Sequence, residues 1–412
     1  MKLKARIITW QVISLMLSLV VYLPASSRAA LSELDPVTIL AEPIPSASLN
    51  ASTTHQNQFS EQRLIERGMT TYSDLNRQIA NFHFIDAGVG SYTQGFSLRG
   101  LTNTDIFSDP AVVIYIDDVP YSNAGTVMGN WLNAETVTVY RGPEPGRLGK
   151  NAYAGAIVIN SKQPSNTLRT ALSYETGTYA QQKVTTTLSG ALVNDQVYAS
   201  VSGEYQARDA FLYNSYLNTT PDEQEHVTGQ AMLKWLPNSA FDIRLIVTQQ
   251  DFDYGATRWV NLASPDFFTV TSNVDEQLEQ QADSQALRIA YTGDDYQWLS
   301  VSSRRYWSMN PNVEDFDLTP EPLLREQTLS EQAYSQEWRL QPKAFNSTWD
   351  WQIGLFYSHI EKQGVVNSWF YDIFVQKCVK TTQHKSIFGL RASRLSRFPA
   401  HQTLFSVTHR LY

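Results

Sequence analysis

Beyond residue 164 the chain alternates apolar and polar residues with a period of two, which is typical of β-strands that have one apolar and one polar face. In one run, Val197 and Val201 fall on one face, whereas Tyr198 and Ser200 fall on the other. Nine strands of this kind are predicted, at 168–176, 182–192, 196–208, 225–236, 240–252, 285–292, 297–307, 333–341 and 349–362.

The connections between these strands fall into two length classes. Short polar turns are predicted at 194–195, 237–239, 293–295 and 346–347, and long loops are predicted at 209–224, 253–284 and 308–332. Tight turns that alternate with long loops are typical of an outer-membrane barrel, whose tight turns lie in the periplasm. A soluble β-sandwich is the alternative, and it explains the residue alternation but not the alternating lengths.

Residues 60–164 have a different, mixed pattern. Helix-start signals at 60–66 and a second short helix at 72–79 precede several β-branched runs that are separated by glycine and proline turns. These runs lie at 96–99, 111–116, 136–140 and 156–160. The pattern predicts a compact α+β domain at 60–164.

The first thirty residues resemble a secretory signal peptide. Lys2, Lys4 and Arg6 precede an apolar run at 7–23, and small residues follow up to Ala29. A single membrane-spanning helix is the alternative, but the run is shorter than such a helix needs. We predict that 1–29 is removed and that 30–59, which is rich in Ser, Thr, Ala and Pro, is a mobile segment.

Composition narrows the possible functions. Charged residues make up 17% and aromatic residues 12% of the 412 residues, and the net charge of -8 argues against a nucleic-acid partner. The single Cys378 excludes an internal disulfide, and the scattered histidines predict no metal site and no cofactor. No G-x-S-x-G motif or complete phosphate loop occurs, so we predict that the protein is not an enzyme.

Linked motifs in 60–164 resemble the plug domain of TonB-dependent receptors. They are SLRG at 97–100, VIYIDDVP at 113–120, VTVYRGP at 137–143 and LGKNAYAGAIVINSKQP at 148–164, in the family's order and spacing. The chain departs from the pattern at Asp118, where the family usually has Gly, at 145–147, and at Ala154. The resemblance assigns plug-motif roles to Arg99, Gly100, Asp117, Pro120, Arg141, Gly142, Pro143, Gly149 and Gly155.

The resemblance implies an α+β plug followed by an antiparallel transmembrane β-barrel at 165–372, partial because it has about 9–10 of the roughly 22 strands expected of a plugged transporter. It implies energy-coupled import of a ferric siderophore by a monomer in the outer membrane of a Gram-negative bacterium. Alternatives are a receptor for cobalamin, haem or a glycan, a non-functional truncated fragment, and a passive porin or adhesin barrel.

The resemblance also implies partner and ligand contacts. The segment Asp35, Pro36, Val37, Thr38, Ile39, Leu40 and Ala41 is similar to the family's energy-coupling box, which adds as a strand to TonB of the inner membrane. Arg99 and Arg141 are expected to pair with carboxylates of the barrel lumen. Apical plug loops are predicted at 102–110 and 121–129. Candidate ligand contacts are Tyr92, Asp105, Phe107, Tyr121 and Asn123.

The last forty residues depart from the rest of the chain. From 373 to 412 there are seven Lys or Arg and no Asp or Glu, and the strand alternation is lost. We predict an atypical basic tail there, with two interpretations: a basic loop, or a stretch read out of frame. A chain with an open sheet is expected not to insert as a transporter when expressed alone.

Overall fold

The computed structural model describes residues 55–85, 94–103, 110–121, 124–127, 129, 131–144, 148, 152–255, 265–315, 317, 319–321, 323–343, 349–370 and 373–394. The first domain contains β1 (His55–Ser60), α1 (Glu61–Glu66), a 3-10 helix (Tyr72–Arg77), β2 (Phe82–Ile85), β3 (Gly95–Leu98), β4 (Leu101–Asn103), β5 (Val112–Ile116), β6 (Val119–Tyr121), a 3-10 turn (Ala124–Thr126), β7 (Ala134–Arg141) and β8 (Gly155–Ser161).

The first domain is built on two small sheets. A five-stranded sheet has the order β1-β7-β8-β5-β6, in which only β5 and β8 run parallel, and a three-stranded sheet has the order β2-β3-β4. Apolar side chains from both sheets and from the helices form one core, in which Leu75, Leu98, Val137 and Ile157 are fully buried. Burial on this scale stabilises each large side chain by about 1.5–3 kcal/mol.

The start of this domain differs from the prediction. Residues 55–59 were assigned to the mobile segment, but His55–Ser60 pairs antiparallel with β7, and Phe59 is buried opposite Val137. The polar stretch HQNQ has no apolar alternation, so its strand depends on tertiary pairing that local pattern does not record. The second predicted helix is a 3-10 helix, Tyr72–Arg77, with a capping box between Thr71 and Asp74.

The rest of the chain forms a single large sheet. Its strands are β9 (Arg169–Thr176), β10 (Gln182–Val193), β11 (Val197–Arg208), β13 (Gln224–Trp235), β14 (Phe241–Gly255), β16 (Gln277–Thr292), β17 (Tyr296–Asp315), β18 (Leu323–Pro342), β19 (Trp349–Phe370) and β20 (Ile373–Arg394). They pair antiparallel in chain order from β9 at one edge to β20 at the other. Two short strands, β12 (Tyr213–Asn214) and β15 (Thr269–Val270), pair in parallel. They link the connection between β11 and β13 to the connection between β14 and β16. We call the ten-stranded sheet the wall.

Several wall strands are longer than the sequence predicts. Much of the predicted loops at 253–284 and 308–332 is strand, because β16 begins at Gln277 and β17 and β18 run together as a long hairpin. At the outer end of β16, 277–281 (QLEQQ), Leu278 is the one apolar residue among polar ones, so the stretch lacks the apolar alternation that marks a half-buried strand. The backbone ladder nevertheless satisfies its N–H and C=O groups.

The predicted tail also differs in part. Ile373–Arg394 forms a tenth strand that pairs antiparallel with β19, from Phe370 opposite Ile373 to Trp349 opposite Arg394. Of the two interpretations of the tail, the basic loop is therefore wrong for 373–394. Alternation does not reveal this strand, because backbone pairing makes no demand on side-chain type. Residues 395–412 lie outside the described residues.

The two faces of the wall have opposite character. Leu233, Leu245 and Leu287 are directly paired across β13, β14 and β16, and all three are exposed on the outer face. Exposed aromatics, including Trp235 and Tyr296, lie beside the tight turns. An apolar outer band bordered by aromatics is what a lipid-facing barrel wall requires. Among the described residues, no helix is long and apolar enough to cross a membrane.

Candidate functional site

The first domain contacts the inner face of the wall through the turn between β5 and β6. Asp117 and Asp118 form this turn, and both have left-handed backbone conformations, with φ values of 50° and 66°. Asp tolerates this conformation better than most residues, because its short polar side chain bonds locally. The turn therefore presents two carboxylates, whereas a glycine at 118 would leave only that of Asp117.

Asp117 ties the turn to β8 and to the wall. Its carboxylate accepts hydrogen bonds from the Ser161 N–H and from Ser161 Oγ, both at 2.7 Å, and its own N–H donates to the Ile159 carbonyl at 2.9 Å. From the wall, Gln230 Nε2 donates to Ser161 Oγ at 3.2 Å. Burial raises the pKa of Asp117, although the hydrogen bonds from Ser161 oppose this.

Asp118 points to the wall and makes an ion pair there. Arg288 Nε donates to Asp118 Oδ2 at 2.9 Å, and the Arg288 side chain is only 5% exposed. Burial by itself would raise the pKa of Asp118, but the positive charges of Arg288, Arg339 and Arg244 outweigh burial and hold that pKa below its ordinary value. Asp118 is therefore an ionised carboxylate that faces a group of arginines.

Strand β6 packs along the wall above this ion pair. Val119 is buried in a cluster with Met232, Ile246 and Ala286 of the wall, and the Tyr121 ring packs against the same cluster. The Arg305 guanidinium lies over the Tyr121 ring, with its Cζ 4.4 Å from the ring centroid. Such a cation–π contact contributes about 0.5–2 kcal/mol, depending on its desolvation.

In the half of the wall that lies towards the longer connections, the first domain contacts a group of aromatic and titratable side chains. Gly129 is so close to Phe252 that an added Cβ would lie 3.0 Å from the Phe252 ring. The Phe252 ring stacks on His226 at 4.8 Å between centroids. His226 in turn contacts Glu204 at 3.2 Å and the Tyr254 hydroxyl at 3.1 Å. This half of the wall carries the longer connections.

Sequence reasoning missed these wall residues, although the signal was present. His226, Glu204, Gln230 and Arg288 all occupy the polar positions of alternating strands. Alternation predicts that such positions face the lumen, but it does not tell which of them contacts the first domain. That information depends on how the two parts of the chain dock.

Among the residues that the structure describes, the motif arginines have no carboxylate partner of the kind predicted. Within the described part of the chain, neither Arg99 nor Arg141 forms an ion pair, and Arg141 Nε is buried without a hydrogen-bond partner. Arg99 and Gly100 form an exposed turn with φ values of 56° and 80°. The observed pair between the domain and the wall has the opposite polarity, because the domain supplies the carboxylate of Asp118 and the wall supplies Arg288.

The other described motif residues have structural positions. Pro120 lies opposite Tyr115 in the β5–β6 ladder, and Gly142 and Pro143 directly follow β7. Gly155 is required by close packing, since an added Cβ would lie 2.0 Å from the Tyr140 carbonyl oxygen. Outside the described residues lie the segment 35–41, Gly149 and the candidate ligand contacts Tyr92, Asp105, Phe107 and Asn123.

Residues 48–156 match the family described as TonB-dependent Receptor Plug Domain. The chain is 25% identical over 299 residues to the pesticin receptor of Yersinia pestis, covering 68% of this chain and 42% of that receptor. It is 30% identical over 129 residues to the catecholate siderophore receptor Fiu of Escherichia coli K12, covering 31% of this chain and 16% of Fiu. It thus spans less than half the length of these curated relatives.

Solved structures share the fold. The ferric yersiniabactin uptake receptor FyuA from Yersinia pestis superposes with a TM-score of 0.70 at 18% identity, covering 83% of this chain and 62% of that one. The ferric citrate transporter FecA in its unliganded form gives a TM-score of 0.66 at 10% identity, covering 86% and 56% respectively. In both cases the match extends over the first domain and the wall.

Proposed function

Because the chain belongs to the TonB-dependent receptors, with its plug domain at residues 48–156, we propose that it serves the energy-coupled import of a ferric siderophore. The membership accounts for the plug motifs, the antiparallel wall and the contact between them. Transport, ligand and coupling partner are the proposed part.

One observation carries the proposal. The plug is seated against the polar face of a wall whose other face is apolar, and the contact includes a buried charged pair, Asp118 with Arg288. A passive porin needs an open lumen, and an adhesin has no use for a domain that fills it. A plug held by polar contacts is the arrangement expected of a gated importer.

The ligand class follows from the relatives. Fiu is named a catecholate siderophore receptor, and FyuA is named a ferric yersiniabactin uptake receptor. We assign the ligand site to the space above the plug, where His226, Phe252 and Tyr254 lie beside Gly129. Aromatic and imidazole side chains can stack against the aromatic parts of a siderophore.

The structure bears on one of the five predicted ligand contacts. Tyr121 is the one of the five that the structure describes, and its ring packs on Arg305 and on the cluster that holds Val119. We therefore propose that Tyr121 positions Arg305 for the ligand. Tyr92, Asp105, Phe107 and Asn123 stay proposed contacts on the apical loops.

The coupling step is proposed for the segment 35–41. Its β-prone residues would add as a strand to a sheet edge of TonB, and the plug would then be moved by force transmitted through 42–54 to β1. The pairing of β1 with β7 supports this route, since it links the start of the described chain directly to the plug sheet. Removal of 1–29 would deliver the mature protein to the outer membrane.

A proline substitution tests the proposal. In a Gram-negative strain that lacks its own siderophore receptors, cells that produce an intact receptor carrying this sequence in a complete barrel would be given radioiron complexes of catecholate, phenolate, hydroxamate and carboxylate siderophores. Ile39→Pro removes a ladder donor in the coupling segment. We expect it to abolish uptake while binding at the cell surface is kept. Ser48→Pro, in the same polar stretch but outside 35–41, should retain both.

Two results would overturn the proposal. One is that none of the four classes of iron complex is bound or taken up by cells that produce the intact receptor. The other is that the receptor with Ile39→Pro takes up iron as well as the unchanged receptor does.

A further inference from the structure

Three positive side chains lie directly opposite one another on the inner face of the wall. Lys234 pairs with Arg244 across β13 and β14, and Arg244 pairs with Arg288 across β14 and β16. All three side chains are at least 80% buried. Like charges that lie directly opposite in a sheet are destabilising. We call Lys234, Arg244 and Arg288 the cation row.

The wall supplies only part of the compensating charge. Asp242 accepts hydrogen bonds from Arg244 at 2.7 and 2.6 Å, and Lys234 lies 3.8 Å from the same carboxylate. Beside the row, Arg339 pairs with Glu337 at 3.0 Å. Among the described wall residues of this cluster, four cations therefore face two carboxylates, which leaves an excess of two positive charges.

The plug supplies the next carboxylate. Asp118 bonds to Arg288 at 2.9 Å and interacts electrostatically with Arg339 and Arg244 as well. Glu135 of the plug also interacts with Arg244, but Lys162 is its stronger charged partner. Asp118 is thus the plug group that is directed at the cation row.

The turn does not itself require this carboxylate. Asp118 has a φ of 66°, a conformation that glycine adopts at no steric cost, and the related plug sequences usually have Gly at this position. An aspartate there accepts some backbone strain. The ion pair with Arg288 offsets the cost of that strain, because charge-assisted hydrogen bonds are about twice as strong as neutral ones.

We propose that Lys234, Arg244, Arg288 and Arg339 form an anion-binding site on the lumen wall, which Asp118 occupies as an internal counterion while the plug is seated. When the plug moves, Asp118 leaves and the site accepts an anionic group of the passing ligand. The chemical class is a carboxylate- or phenolate-bearing iron chelate. Its link to transport rests on the proposed function, whereas the anion site itself is testable without transport.

The test is ligand-induced stabilisation of the purified full-length chain in detergent, with citrate as the probe. Asp118→Asn removes the charge but keeps the shape, and Asn tolerates a positive φ. Citrate is titrated at constant ionic strength set with NaCl, and the midpoint of thermal unfolding is followed. Asp118→Asn should unfold at a lower temperature than the unchanged chain without citrate, and citrate should raise its midpoint saturably.

The size of the response follows from linkage. At a citrate concentration one hundred times its Kd, the ratio of folded to unfolded Asp118→Asn should rise about a hundredfold. The unchanged chain should show no saturable response, since Asp118 already occupies the site. If Asp118→Asn does not fold, Asp118→Gly, which relieves the positive φ, takes its place in the same experiment.

Two further variants separate this site from general charge effects. Adding Arg288→Gln to Asp118→Asn should abolish the citrate response. Asp283→Asn is the matched control, because it removes the carboxylate partner of Arg304 on the same wall without touching the cation row. Asp283→Asn should gain no citrate response.

The proposal is overturned if citrate does not stabilise the Asp118 variants saturably, if the response survives Arg288→Gln, or if Asp283→Asn responds equally. None of these outcomes depends on uptake by cells. A chain that binds citrate in this way but imports no iron would contradict the proposed function and leave the anion site standing.

Discussion

Asp117 offers a quantitative test of how the plug turn is held. Its carboxylate accepts two hydrogen bonds from Ser161 at 2.7 Å, and the residue has a φ of 50°. Asp117→Ala would leave the buried Ser161 N–H without its acceptor, at a cost of about 1–3 kcal/mol. Placing alanine in a left-handed conformation costs about 1–2 kcal/mol more. We expect a total loss of about 2–5 kcal/mol.

Asp117→Asn is the matched variant. Asparagine keeps the shape, tolerates the positive φ and retains an oxygen that accepts the Ser161 N–H bond. Its amide can donate to Ser161 Oγ, which is able to accept. It also removes a charge whose burial is unfavourable, so at neutral pH it should be close to neutral or slightly stabilising.

The difference in stability between Asp117→Asn and the unchanged chain should depend on pH, and the sign of this dependence follows from the pKa shift of Asp117. Burial raises the pKa of Asp117 above its ordinary value, so ionisation of Asp117 costs the folded state free energy. That cost is absent below the ordinary pKa of about 3.9, grows as the pH rises from there to the raised pKa, and is constant above it. Asparagine does not titrate. The stability of Asp117→Asn relative to the unchanged chain should therefore increase as the pH rises above about 4 and then level off.

Amide hydrogen exchange measured by mass spectrometry is the assay, on the full-length chain in detergent. Peptides that contain β5, β6 and β8 report the free energy of opening around the turn. A loss of about 2–5 kcal/mol corresponds to exchange that is roughly 30- to 5000-fold faster. Exchange in Asp117→Ala at the rate of the unchanged chain would refute the assigned hydrogen bonds. A relative stability of Asp117→Asn that falls with rising pH would refute the assigned burial.

Three further predictions address other parts of the chain. Gly155→Ala should destabilise the plug by more than about 4 kcal/mol or prevent its folding, because the added Cβ would overlap the Tyr140 carbonyl oxygen. Gly229→Ala is the control and should unfold like the unchanged chain, because no atom lies within 4 Å of the added Cβ. Arg305→Leu should speed exchange in β6 by roughly fivefold or more, since it removes the cation over the Tyr121 ring; unchanged exchange would show that this contact does not hold β6. N-terminal sequencing of the membrane-bound protein should begin at or near Ala30, and a retained Met1 would contradict removal of 1–29.

The parts of the fold that depend on local pattern could be predicted. Alternation on β11 and β14 identified wall strands because each has one buried and one outward face, and glycine and proline turns delimited β5, β7 and β8. Strand β1 could not be found in this way, because its polar residues become a strand only by pairing with β7. The outer ends of β16 and β17 were missed because few of their residues are apolar, which leaves no regular alternation in the sequence.

The contacts between the plug and the wall could not be predicted from local sequence pattern. Asp118 was recognisable as a departure from the plug pattern, yet its partner Arg288 lies 170 residues further along the chain. Nothing local to either residue indicates the pairing, because it depends on the register of the wall and on how the plug docks. The expected pairing of Arg99 and Arg141 with lumen carboxylates assumed the reverse polarity for the same reason.

Radioiron uptake with and without TonB tests the proposed import most directly. Receptor-deficient Gram-negative cells that produce an intact receptor carrying this sequence in a complete barrel would be given ferric siderophores, in a strain that has TonB and in an otherwise identical strain that lacks it. We predict saturable uptake in the first strain, and surface binding without uptake in the second. Uptake that is equal in the two strains would contradict energy-coupled import, and so would the absence of both binding and uptake.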